Sequence, residues 1–297
     1  TAVSSIASQP LTRLRWSTPV DLAPQYSGPF LYAHYGPPVI TARNTVVLPV
    51  NTGPYGSFRF EARSGANGAL LWSLPSDYIL PAHNWVPSYN VTRTPKNRVY
   101  APGVGGKIYY RDNADAPTGT AQTFVFYGTG VYAASPSAYD STVFINTPIT
   151  ADAQGNVFFG FAVTGANPAN LVSGFARIAP DGTATRIDAA AMMGTTYAQP
   201  MMNSAPALSA NQGTLYVAIR TAPTSPSVQT GHLVALNSTT LALSSRVQLL
   251  DPATGNNAVV TDDATSSPSV GPDGDVYFGV LGASGSGHTS RGWMLHY

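Results

Sequence analysis

Apolar and polar residues alternate with a period of two in short runs along most of the chain, and the 3.6-residue period of a helix is nearly absent. Gly, Pro, Asn and Asp bound the runs, so the pattern predicts short strands between turns. One stretch differs. Asp188 to Met193 is rich in Ala and Met and predicts one or two helical turns. The strand pattern itself repeats. A Pro opens a first run at Pro38, Pro87, Pro148, Pro206 and Pro268. A second run follows Asn44, Asn97, Gly155, Gly213 and Gly274. A third follows Gly56, Gly106, Gly174, Gly231 and Gly292. A fourth begins near Ala69, Ala121, Thr183 and Ala242 in the first four units.

The fifth unit reaches the end of the sequence after its third run. Near the other end, Trp16-Ser17-x-Pro19 matches Trp72-Ser73-x-Pro75 of the first unit. Residues 11–19 are therefore expected to pair with 292–297 as the missing outer strand. The predicted architecture is all-β: a five-bladed β-propeller of four-stranded blades, closed by an N-terminal strand that completes the C-terminal blade. Residues 1–297 are read as one domain, with blades at about 38–75, 87–128, 148–189, 206–250, and 268–297 plus 11–19. The competing reading is two β-sandwich domains.

The stretch EARSGANGALLW, residues 61–72, carries a more specific signal. Gly68 suits a hairpin that needs φ > 0, Ala62 is small enough to be covered, and Trp72 is placed to pack between neighbouring blades. Ala62, Gly68 and Trp72 resemble the tryptophan-docking motif of pyrroloquinoline-quinone-like β-propeller repeats. Ser64 and Asn67 stand where that motif usually has Asp and Thr. The resemblance implies a propeller. In the larger dehydrogenases of that superfamily it also implies a quinone, often with an adjacent Cys pair and a calcium site. This chain has no Cys and no comparable acidic and amide cluster, so no cofactor is expected.

Composition narrows the function. Charged residues make up 10% of the 297 residues and the net charge is +1, so no field gathers nucleic acid. The absence of Cys removes disulfides, thiolate zinc sites and thiol nucleophiles. The His residues lack ligand spacing, and no metal site is expected. No apolar run of membrane-spanning length is present. Low charge, a small and polar opening TAVSSIASQP and many Ser, Thr, Asn and Tyr suit a mature exported protein, secreted or periplasmic.

Candidate chemistry falls in the connections between units, at about 18–37, 76–86, 129–147, 190–205 and 251–267. YAHYGPP brings His34 and Tyr35, and PAHNWVPSYN brings His83, Asn84, Trp85 and Tyr89. These make a sugar-binding face, with aromatic rings stacking and Asn and His bonding hydroxyls. The leading expectation is an exported, monomeric, non-catalytic binding module for a glycan or another extracellular surface. One alternative is a polysaccharide lyase, with His34, His83 and Tyr35 at the chemistry and Arg43 or Arg93 neutralising a uronate. The other is a structural component of a filament or envelope, which keeps self-association open. An acidic pair such as Asp77 with Asp262 is a further glycosidase-like possibility. Asp273 and Asp275 in GPDGD read as turn residues, and Asn90-Val-Thr and Asn237-Ser-Thr are glycosylation sequons.

Overall fold

The structure, a computed structural model, describes residues 10–23, 25–27, 30–32, 36–53, 56–79, 89–221, 230–260, 266–283 and 291–297. A short antiparallel pair comes first, β1 (Gln25–Ser27) with β2 (Phe30–Tyr32). Five antiparallel sheets then follow in chain order. The first holds β3 (Val39–Ile40), β4 (Thr45–Gly53), β5 (Gly56–Ser64) and β6 (Leu70–Ile79) side by side. The second holds β7 (Thr92–Arg93), β8 (Val99–Pro102), β9 (Lys107–Arg111) and β10 (Gln122–Val125). Two short helices follow, α1 (Thr129–Ala134) and α2 (Pro136–Asp140). In the third sheet, β11 (Val143–Ile145) and β12 (Thr150–Ala151) both pair with β13 (Val157–Val163), and β14 (Gly174–Ile178) and β15 (Ala184–Asp188) continue outward. Helix α3 (Ala189–Met193) leads to the fourth sheet. There β16 (Gln199–Pro200) and β17 (Ala207–Leu208) pair with β18 (Thr214–Arg220), followed by β19 (Gly231–Asn237) and β20 (Leu243–Gln248). The fifth is β21 (Ser269–Val270), β22 (Val276–Leu281) and β23 (Gly292–His296).

This is a β-propeller, and the five sheets of the described residues follow one another as five blades would. Cohesion runs between consecutive sheets rather than within two layers, which disposes of the two-sandwich reading. One apolar cluster joins the first three sheets through Phe60, Trp72, Tyr100 and Phe159. A second joins the third and fourth through Phe158, Phe175 and Val217, and a third joins the fourth and fifth through Met201, Leu233 and Phe278. Polar ties follow the same succession. Thr150 Oγ1 donates to Pro206 O at 2.7 Å, Asn146 Nδ2 to Pro200 O at 3.0 Å, and the Ala205 amide to Ser267 Oγ at 2.9 Å.

The repeat anchors have a backbone cause. The turn into the second strand needs a left-handed residue, and Asn44, Asn97, Gly155 and Gly274 all have positive φ. Asn and Gly exchange there because both tolerate that region. In the fourth blade the role passes to Gln212, one residue before Gly213. The Pro anchor is looser. Pro38, Pro206 and Pro268 immediately precede β3, β17 and β21, Pro148 precedes β12 by two residues, and Pro87 lies outside the described residues.

The docking motif forms as its spacing predicts. Gly68 has φ +74° in the hairpin, and Ala62 pairs with Trp72 across β5 and β6. Trp72 is buried, its Nε1 donates to Ala114 O of the second blade at 2.8 Å, and Arg111 lies 4.6 Å over its ring. The short helix over 188–193 is α3, with Gly194 in the left-handed region at its C-terminus. Helices α1 and α2 occupy a segment read only as a loop. Their few residues show no amphipathic period, and tertiary packing of Tyr139 holds them in place.

The closing strand requires a correction. Residues 10–19 form no strand, and among the described residues β23 pairs only with β22. What forms is a tryptophan contact. Trp16 Nε1 donates to Gly65 O at 3.0 Å, and its ring covers Gly68. The match to Trp72 was therefore a match of docking chemistry, a Trp on a neighbouring hairpin, and not of ladder pairing. Leu11 and Leu14 are fully or nearly fully exposed. Deleting residues 1–18 is accordingly expected to cost about 1–3 kcal/mol, the range for a partly buried aromatic with one hydrogen bond, rather than to unfold the chain. Urea unfolding of the truncated and full chains measures it.

Candidate functional site

In an antiparallel blade, the connection from second to third strand and the exit from the fourth strand lie at the same end. Three such segments meet between the first and second blades. Asp77 lies near the end of β6, the Gly103–Gly106 turn joins β8 to β9, and α1 and α2 follow β10. Together they assemble a cluster around Lys107. Lys107 Nζ is 2.5 Å from Asp77 Oδ2, and Asp77 Oδ1 accepts the Val104 amide at 3.0 Å. The ammonium also lies 5.0 Å from the Tyr132 ring centroid and 6.0 Å from that of Tyr109. Tyr132 donates to Asp140 Oδ1 at 3.0 Å, and Tyr127 donates to Gly105 O at 2.6 Å.

The glycines of this turn are required. Gly105 and Gly106 have φ near +70°, and a Cβ on Gly103 would press on the Tyr109 ring and the Asp77 carboxylate. The side chain of Lys107 is 13% exposed and that of Asp77 is 41% exposed, so the lysine forms the floor and the carboxylate part of the rim.

The electrostatics set what this cluster can do. Burial pushes the Tyr109 phenol up to about 12, with the Asp77 charge adding to the effect. Burial likewise raises Tyr127 and Tyr132. Lys107 is raised despite its own burial, because Asp77 and Tyr132 bond its ammonium. At neutral pH the phenols are therefore neutral and the lysine charged. Neither supplies a base. The cluster offers aromatic faces, hydroxyls and carboxylate acceptors, which suits recognition of a neutral polar ligand.

The expected site residues fare unevenly. His34, Tyr35, His83, Asn84 and Trp85 lie outside the described residues, as do Asp262 and His288. Their flanks do meet. Gly36 is so close to the carbonyl oxygen of Tyr89 that no side chain fits there. Tyr89 itself requires a correction. The sequence puts it on the binding face, but the residue is 3% exposed and its ring stacks on Phe58 with centroids 4.3 Å apart. The alternation that follows Pro87 turns this ring inward, so Tyr89 is a core residue. Asp77 is present, paired with Lys107 rather than with a second acid. Asp273 accepts the Asp275 amide in a tight turn, and Asp275 Oδ2 sits 2.6 Å from His296 Nε2.

Arg43 and Arg93, the cations considered for a uronate, are both at the other end of the sheets. Arg43 sits in the turn between β3 and β4, and Arg93 donates to Thr94 O at the turn into β8. Sequence reasoning missed Lys107, Tyr109, Tyr127 and Tyr132. Lys107 carried a usable signal, as one of only two lysines in the chain and directly after three glycines in four residues. Among the described residues, no group of three or more His, Asp or Glu side chains is arranged to hold a metal ion.

No protein-family profile matches the sequence, and no curated protein matches it. Solved structures give distant likenesses. The Dos1 propeller is 9% identical with a TM-score of 0.48, over 84% of this chain and 55% of that one. Quinohemoprotein alcohol dehydrogenase from Comamonas testosteroni is 13% identical with a TM-score of 0.49, over 88% of this chain and 43% of that one. A GH74 enzyme from Niastella koreensis is 15% identical with a TM-score of 0.44, over 80% of this chain and 32% of that one. The chain thus spans about half the length of the first two. The assignment to the propeller class rests on the succession of sheets and the packing between them.

Proposed function

We propose that this protein is a non-catalytic binding module, acting outside the cytoplasm, whose ligand is a glycan held on the face that carries the Lys107 cluster. The observation that carries the reading is the placement of Tyr109 and Tyr132 about a committed Lys107–Asp77 pair. Neutral phenol rings stack on the C–H faces of a sugar, and the carboxylates accept from its hydroxyls. The lyase alternative is less well supported. It needs a cation for the uronate and a proton-accepting group, whereas Arg43 and Arg93 lie at the far end and the described phenols of the cluster stay protonated.

A glycan array followed by calorimetry tests the reading. Tyr109→Ala and Tyr132→Ala are each expected to weaken binding about tenfold, the loss of one stacking contact of about 1.4 kcal/mol. Unchanged affinity in both variants would remove the cluster from the site. Uronic polysaccharides should yield no unsaturated product, and an absorbance rise from such a product would replace binding with lyase activity.

A further inference from the structure

The charge balance of the same cluster goes further. We infer that the patch is selective for uncharged, hydroxyl-rich sugars and discriminates against uronic acids, an inference that rests on the glycan-binding reading above.

Three groups with formal charge line the patch: Lys107, Asp77 and Asp140. The lysine is already occupied by Asp77, which also takes the Val104 amide. Asp140 accepts only a neutral donor, the Tyr132 hydroxyl at 3.0 Å, and among the described residues no cation pairs with it. The three groups leave one net negative charge beside the two aromatic walls, and Asp140 reaches Lys107 only through the Tyr132 hydroxyl that both bond. A uronate stacked on Tyr132 would approach that charge. It would find no free guanidinium or ammonium, because the one described cation here lies under the rings and faces Asp77. Two like charges about 5 Å apart at a wet surface repel enough to lower affinity several-fold. A neutral sugar loses nothing to that repulsion. Its hydroxyls donate to the same carboxylate oxygens, which have lone pairs to spare after one Tyr132 bond.

The test compares galacto-oligosaccharides with oligogalacturonides of the same length, by calorimetry at low and moderate salt. The neutral series is expected to bind several-fold to about tenfold more tightly at low salt, with the gap narrowing as salt screens Asp140. Asp140→Asn keeps an acceptor for Tyr132 and removes the charge. It should raise oligogalacturonide affinity several-fold relative to the neutral series and so narrow the gap between the two. If that variant fails to fold, the salt dependence of the wild-type preference carries the same decision. Oligogalacturonides binding as tightly as the neutral series, or a preference that neither salt nor Asp140→Asn moves, overturns the inference and leaves the binding reading standing. Failure of both series, with no other glycan bound on the array, overturns the binding reading itself.

Discussion

Trp72→Ala is expected to cost roughly 3–5 kcal/mol, the range for truncating a buried large aromatic. Three losses coincide. The cavity opens between the first and second blades, where Trp72 is 7% exposed and meets Phe60 edge-on at 6.4 Å. Ala114 O loses its donor. Arg111, itself 1% exposed, loses the ring beneath its guanidinium and keeps only the Ala116 and Thr118 carbonyls. Burial already disfavours the charged form of Arg111 and lowers its pKa, so removing a favourable contact acts on a strained balance. Trp16→Ala is the internal control. It docks in the same manner on Gly65 but is only half-buried, so its loss should be less than half as large. Chemical denaturation of both variants checks this, and equal losses would mean that Trp72 is no more central than Trp16.

Alkali should unfold the protein steeply. Tyr78 and Tyr89 are fully buried, and burial raises both well above the ordinary phenol value of about 10. The sign follows from which state holds the proton. Above about pH 10 the unfolded chain gives up these protons while the folded chain retains them. Stability is therefore complete below about pH 10 and falls as pH rises, at about 1.4 kcal/mol per pH unit for each such group. Two fully buried tyrosines give a slope of about 3 kcal/mol per unit, and Tyr109 adds to it until its own titration near 12. Melting temperatures from pH 8 to 12, read beside tyrosinate absorbance, measure the effect. Tyrosinate forming smoothly before any loss of fold would show that these rings are accessible.

Much of the architecture was legible because it is local. Alternation specifies a strand, and the left-handed residue before β4, β8, β13 and β22 is Asn or Gly, the residues that tolerate that region best, with Gln212 in the role in the fourth blade. The offset from Ala62 to Gly68 to Trp72 is likewise set by one hairpin's geometry. These constraints act within a dozen residues, so they leave a mark in sequence. The alternation after Pro87 does not say which face of a short strand is inner, and Tyr89 turned inward against Phe58.

What the tertiary structure alone decided is which distant groups share a place. The Trp16 signature was readable, but whether it brings ladder pairing or only a docked ring depends on the position of β23, and the ring is what formed. Lys107 reaches Asp77 across 30 positions, and Tyr132 closes over it from a helix without amphipathic period. No spacing rule encodes that meeting. It follows from two blades packing side by side, which sets strand ends from separate units a few ångströms apart and lets burial fix the protonation of what gathers there.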